Sequence, residues 1–165
     1  MDRQIGNLAS DIHALSHGLH SAKLELIGLK SAVAGLCEEL SNRHDVTIDA
    51  HFENIPEALP PEISLCLYRV LQEALQNVLK HSGSRHAHVS LIGQINTINL
   101  TIKDSGPGFD PHEAVRGQGL GLTSMEERLK VVGGQLFIHS HRGRGTTVHA
   151  VAPLFLPAKS TNGVV

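Results

Sequence analysis

Four stretches of this chain carry residues whose types and spacing suit chemistry. The first is Gln72-Glu73-Ala74-Leu75-Gln76-Asn77-Val78-Leu79-Lys80-His81, where Glu73 and Asn77 stand four apart and on a helix share a face. Lys80, three residues further, is expected to join that face. A carboxylate, a carboxamide and a cation together suit a hard metal and a phosphate, and oxygen ligands fit Mg²⁺ that bridges to substrate phosphates. Alone, the stretch reads more simply as a solvated helix face. The second is Asp104-Ser105-Gly106-Pro107-Gly108-Phe109. An Asp ending an apolar strand puts a carboxylate at a pocket mouth, where it accepts from amino groups such as an exocyclic adenine amine. Gly106 and Gly108 let backbone approach a flat ring and adopt positive φ, although a D-x-G turn is common.

The third stretch, Gly117-Gln118-Gly119-Leu120-Gly121-Leu122, opens a helix. Glycines ahead of a helix N-terminus expose N–H groups to a phosphate. It is neither a dinucleotide fingerprint, for no βαβ unit surrounds it, nor a Walker loop, for no Gly-Lys-Ser/Thr follows. The fourth, Gly143-Arg144-Gly145-Thr146-Thr147-Val148, reads as a hairpin turn entering a strand, with a hydroxyl on Thr146 able to meet a base or a bridging water.

The elements that must hold these stretches follow from periodicity. Ile5, Leu8, Ile12, Leu15 and Leu19 alternate in steps of three and four, a heptad-like helical stripe. Gly28 interrupts it, and a second helix is expected from about Leu29 to Leu40. Val46 to Phe52 alternates as a strand. Pro60-Pro61-Glu62 starts a helix, since proline suits its first turn and an acid meets the positive dipole end. The broad stripe from Ile63 to Leu79 ends at His81-Ser82-Gly83. Ala87–Ile92 and Ile98–Asp104 read as a hairpin, 105–121 as a long functional loop, Leu122–Val132 as a helix closed by Gly133-Gly134, and Gln135–Ser140 with Thr146–Ala152 as a second hairpin. This order predicts an α+β fold, a two-layer α/β sandwich with helices on one face of a mixed, mostly antiparallel sheet.

The 165 residues suit one principal core. Apolar residues are 41% and charged ones 18%, a globular balance, and with aromatics at 3% Leu, Val, Ile and Ala must build that core. A net charge of −2 and a pI near 6.6 give no global basic field for nucleic acid or an anionic membrane. Cys37 and Cys66 lack ligand spacing and read as buried hydrophobes in a reducing, cytoplasmic compartment. The start has no apolar h-region, and no apolar run approaches a membrane span. Among twelve histidines, His13, His17 and His20 share a helical face, but no carboxylate or Cys completes a metal site.

The order and spacing of the four stretches resemble the superfamily of DNA gyrase B, the ninety-kilodalton heat-shock chaperone, histidine kinases and MutL. The wording of LYRVLQEALQNVLKHSGS, DSGPGFD, GQGLGLTSMEERLKVVGG and GRGTTVHAVAP is most similar to histidine kinases of the nitrate and nitrite sensor type. LSHGLHSAKLELIGLKSAV resembles the second dimerisation helix of that subfamily and its exit. The resemblance implies a Bergerat ATP-binding fold over 42–156, a residual dimerisation helix and connecting helix over 1–41, and a disordered tail over 157–165. It implies ATP and Mg²⁺ as cofactors, with Asn77 on the metal and Glu73 as a further ligand or a catalytic base. Lys80 and His81 would lie near the phosphates, and Asp104 would take the adenine amine with Thr146 helping through a water. Gly106, Gly108, Gly117, Gly119, Leu120, Gly121 and Leu122 would line the nucleotide, the segment from Gly108 to Gly121 forming a lid. The implied activity is phosphoryl transfer from ATP to a histidine, with a dimerisation and phosphoacceptor domain, a response regulator and a second copy as partners.

The chain departs from that pattern in lacking the acceptor histidine followed by an acid in an arginine-rich helix. His44-Asp45 has the dipeptide but falls in the link before the first strand. The acceptor is therefore expected on a segment missing from this chain. A serine kinase of the anti-sigma type and a non-catalytic ATP-gated module are the competing readings.

Overall fold

The computed structural model describes residues 2–110 and 120–155, with the side chains of 22–110 and 121–155. Helix α1 runs over Asp2–Arg43 and is broken inside by Gly28, whose φ of 76° and ψ of 162° are not helical. The break falls where the apolar stripe is interrupted, and glycine takes this conformation without a Cβ penalty. The second piece extends beyond Leu40, and Arg43 pairs with Glu39 at 3.0 Å in the last turn, where a cation also meets the negative dipole end. Leu29, Ala32, Val33 and Cys37 are its buried face.

Five strands follow with two helices among them: β1 (Thr47–Glu53), α2 (Pro61–Asn77), β2 (His86–Gly93), β3 (Thr97–Asp104), α3 (Leu120–Val131), β4 (Gln135–Ser140) and β5 (Thr146–Pro153). They form one sheet in the order β1-β2-β3-β5-β4. β1 pairs with β2 in parallel, and the other three pairings are antiparallel. The fold is α+β, as the element order predicts. What local periodicity leaves open is the position of β5, which enters the sheet between β3 and β4 and so brings the last strand beside Asp104.

The two layers follow from strand alternation, since successive side chains point to opposite faces. Ala87, Val89 and Leu91 of β2, Ile98, Leu100 and Ile102 of β3, and Val148, Ala150 and Ala152 of β5 are buried. They share a core with Ile63, Leu67, Val70, Leu71, Ala74 and Leu75 of α2 and with Met125 and Leu129 of α3. The other face shows Asp49, His51, His88 and Lys103 to solvent. α2 starts with Pro61 in its first turn and Glu62 beside it, the arrangement read from Pro60-Pro61-Glu62. α3 ends in a Schellman motif: Gly134 donates its N–H to the Leu129 carbonyl at 2.7 Å, Gly133 donates to Lys130 at 3.1 Å, and Gly133 has a φ of 73°.

Among the described residues no helix is long and apolar enough to cross a membrane. Cys37 and Cys66 are both free thiols in this core, and burial pushes each up to about 11 from an ordinary value of 9.0. A raised thiol keeps its proton in the folded state, so its contribution to stability is whole below pH 9 and is lost as pH climbs through 11. Urea unfolding should therefore show stability declining between pH 9 and 11, by on the order of 2 kcal/mol for each thiol. A Cys37→Ala, Cys66→Ala double variant should flatten that decline, and an equally steep fall in it would contradict the assignment.

Candidate functional site

Strand alternation explains why a carboxylate faces the core. Asp104 follows Ile98, Leu100 and Ile102 on the helix-facing side of β3 and, at the strand end, is only 7% exposed. Its Oδ1 accepts the Gly106 N–H at 2.8 Å. This bond turns the chain sharply after the strand and satisfies one carboxylate oxygen, which a buried charge requires. Thr146 is its cross-strand partner on β5, and Ser140 on β4 is the next partner along the same row. Asp104, Thr146 and Ser140 therefore stand side by side on the face toward the helices.

Opposite them, α2 ends in one π-helical turn, Val78–Ser82, closed by Gly83 at a φ of 57°. Wide turns of this kind recur at functional sites. Between this turn and the row of strand ends lies a cavity of about 360 Å³, within the range of small-molecule sites. Asn77, His81 and Ser82 come to it from the helix side, Asp104 and Thr146 from the sheet, and Gly108, Phe109, Gly121 and Leu122 from the loop and the start of α3. Ala74, Val78, Ile102 and Val148 make its walls apolar.

The structure thus brings Asn77, His81, Asp104, Gly108, Gly121, Leu122 and Thr146 to one cavity. Lys80 is not among its lining residues and is exposed. The reason is the π turn: at more than four residues per turn it places His81 and Ser82, rather than Lys80, under Asn77. Glu73 is half-buried and also outside the lining, its carboxylate lying against Gly121. Leu120 begins α3. Gly117 and Gly119 lie outside the described residues, as do the tail over 157–165 and the side chains of His13, His17 and His20.

Gly108 has the positive φ expected of it, and three glycines also let segments of the protein pack closely. A Cβ on Gly106 would meet the Ser82 backbone at 2.6 Å, so this glycine lets the loop pack on the π turn. At Gly108, with a φ of 60°, a Cβ would run into the His141 and Gly145 carbonyls. At Gly121 it would strike the Glu73 carboxylate. Each removes a clash within the protein. Ser140, 2% exposed, escaped the sequence reading. Its only signal is a hydroxyl at an inward position after Leu136 and Ile138, recognisable once the register of β4 is known.

Residues 62–156, more than half the chain, match the family model described as Histidine kinase-, DNA gyrase B-, and HSP90-like ATPase. The chain belongs to this family of ATPases. Three curated relatives of the chain are histidine kinases. The sensor histidine kinase MctS of Rhizobium johnstonii is 34% identical over 87% of this chain and 31% of its own length. The oxygen sensor histidine kinase NreB of Staphylococcus carnosus is 32% identical over 91% of this chain and 43% of its own. The signal transduction histidine-protein kinase/phosphatase DegS of Brevibacillus brevis is 28% identical over 92% and 39%. The chain thus spans well under half the length of these relatives. In solved structures, the blue-light activated histidine kinase of Erythrobacter litoralis shares the fold with a TM-score of 0.65 at 20% identity, over 92% of this chain and 49% of that one. Its histidine kinase domain gives 0.60, also at 20%, over 76% and 61%.

The packing of Gly121 on Glu73 is testable by itself. Gly121→Ala should lower stability by about 1–3 kcal/mol in urea unfolding. Adding Glu73→Ala should recover most of that loss, because the clash then has no partner. If the two effects simply add, the contact is not as described.

Proposed function

We propose that this domain binds ATP with Mg²⁺ and transfers the γ-phosphoryl group to a histidine on a segment outside this chain, as the catalytic domain of a sensor histidine kinase. The observation that carries the reading is the pairing of Asp104 with Thr146 on one row of the sheet, facing the cavity. A buried carboxylate with one oxygen turned inward to Gly106 has its remaining capacity for an N–H donor of a ligand, and the exocyclic amine of adenine supplies one. The apolar walls from Ala74, Val78, Ile102 and Val148 suit a flat heterocycle.

Asn77 reaches the same cavity from the helix side with a carboxamide oxygen, a hard donor of the kind Mg²⁺ takes alongside phosphates and waters. The donor set therefore fits the ion, with Asn77 as the protein ligand and Glu73 less well placed. Bound there, Mg²⁺ would supply charge neutralisation for the transferring phosphate. His81 lines the cavity and Lys80 does not, so in this reading His81 is the nearer basic side chain for the phosphates. The transfer forms a bond from an imidazole nitrogen to the γ-phosphorus as its bond to the departing ADP oxygen breaks, and depends chiefly on positioning and electrostatics. Glu73, one turn before Asn77, is the group to accept hydrogen bonding from the attacking imidazole and polarise it.

The partners follow from the same reading. The heptad stripe of Ile5, Leu8, Ile12, Leu15 and Leu19 continues in register through Ala22 to Leu26, and Leu26 is 84% exposed. That seam suits a second copy of the chain, in a cytoplasmic homodimer with the acceptor domain and a response regulator.

Titration calorimetry with and without Mg²⁺ tests the binding: Asp104→Ala should weaken ATP affinity by about tenfold or more. An unchanged affinity would remove the basis of the reading. Mixed with a separate acceptor-helix domain and labelled ATP, the chain should yield acid-labile phosphohistidine. Glu73→Gln should keep ATP affinity and lose this transfer, and undiminished transfer would exclude Glu73 from the chemistry.

A further inference from the structure

The hydroxyl of Ser140 has three neighbours and one proton. The Phe109 N–H lies 2.9 Å from its Oγ, the Gly145 carbonyl 3.2 Å and the Thr146 Oγ1 2.9 Å. The first can only donate and the second can only accept. Ser140 therefore takes the Phe109 proton on one lone pair and gives its own proton to the buried Gly145 carbonyl, a group that must be paired away from water. Its second lone pair remains for Thr146, so Thr146 is the donor in the bond between the two hydroxyls. Once its proton is committed there, Thr146 has only lone pairs to offer the cavity it lines. Asp104, its cross-strand partner, is likewise an acceptor.

We propose that Ser140 is a positioning residue for base specificity: it holds the Thr146 hydroxyl as an acceptor beside Asp104, so that the cavity admits a base edge bearing an amino group and rejects one bearing an oxo group. The inference rests on the reading of this cavity as an ATP site. An exocyclic amine offers N–H donors to such a pair of acceptors. A 6-oxo purine places a carbonyl oxygen against them, and an unmatched buried polar group is penalised heavily. Ser140 does this without lining the cavity. Its other bond, from Phe109, anchors the loop after Gly108 and should affect any nucleotide alike.

The test is the ratio of dissociation constants for ATP and for inosine triphosphate, measured by calorimetry on the full chain. The wild type should prefer ATP strongly. Ser140→Ala frees the Thr146 proton to turn toward an oxo group, and the preference should fall by about tenfold. Ser140→Thr retains the hydroxyl and should preserve the ratio. Loss of the Phe109 anchor weakens both nucleotides together and cancels in the ratio, which separates specificity from a structural effect. Thr146→Val gives a second measurement if Ser140→Ala does not fold: removing the acceptor should also reduce the preference. An unchanged ratio in a folded Ser140→Ala or Thr146→Val protein overturns the proposal, as does a wild type that binds both nucleotides equally. A wild type with no affinity for ATP overturns instead the reading of the site itself.

Discussion

The site depends on one buried carboxylate held at the end of a central strand. Asp104 continues the inward-facing series of Ile98, Leu100 and Ile102, so the geometry that builds the core also delivers a charge to its edge. Burying that charge is tolerable only with compensation, and the Gly106 N–H supplies part of it. In the proposed reading the remainder is left for a ligand. The neighbouring strand puts Thr146 beside it, and the strand after that puts Ser140 beside Thr146. A three-residue polar row inside an otherwise apolar layer is the feature on which the proposed recognition rests.

The second constraint is closeness of approach around the cavity. Three segments far apart in sequence meet there: the π turn after α2, the loop after β3 and the start of α3. Gly106 lets the loop reach Ser82, Gly108 lets it reach the turn between β4 and β5, and Gly121 lets α3 settle on Glu73. The Gly143 N–H donates to the Pro107 carbonyl, adding a backbone tie between the loop and that turn. Glycines here make a tight frame, and the frame shapes the space for a ligand. The same reasoning explains why Glu73 stands beside the cavity wall and not in it.

Much of this was legible from residue order. The helical stripe from Ile63, the break at Gly28, both hairpins and the glycine closure of α3 follow from periods of 3.6 and 2.0 and from glycine stereochemistry, all properties of neighbouring residues. Short motifs point to Asp104, Asn77, His81 and Thr146, and the fold brings all four to one cavity. Lys80 shows where this fails. Ordinary α-helical spacing puts both Lys80 and His81 on the face of Asn77, yet the chain winds a wider turn over Val78–Ser82, which swings Lys80 off that face and leaves His81 and Ser82 on it.

The sequence by itself determined the kind and order of the elements, the family likeness and the polar residues offered to the cavity, because each depends on contacts within a few positions along the chain. Only the tertiary structure decided that β5 lies between β3 and β4, that Asp104, Thr146 and Ser140 occupy one row, and that the Ser140 and Thr146 hydroxyls meet. Those outcomes hang on pairings between residues tens of positions apart. Register there is set by packing of whole layers, and a one-residue slip would turn every one of these side chains to the opposite face.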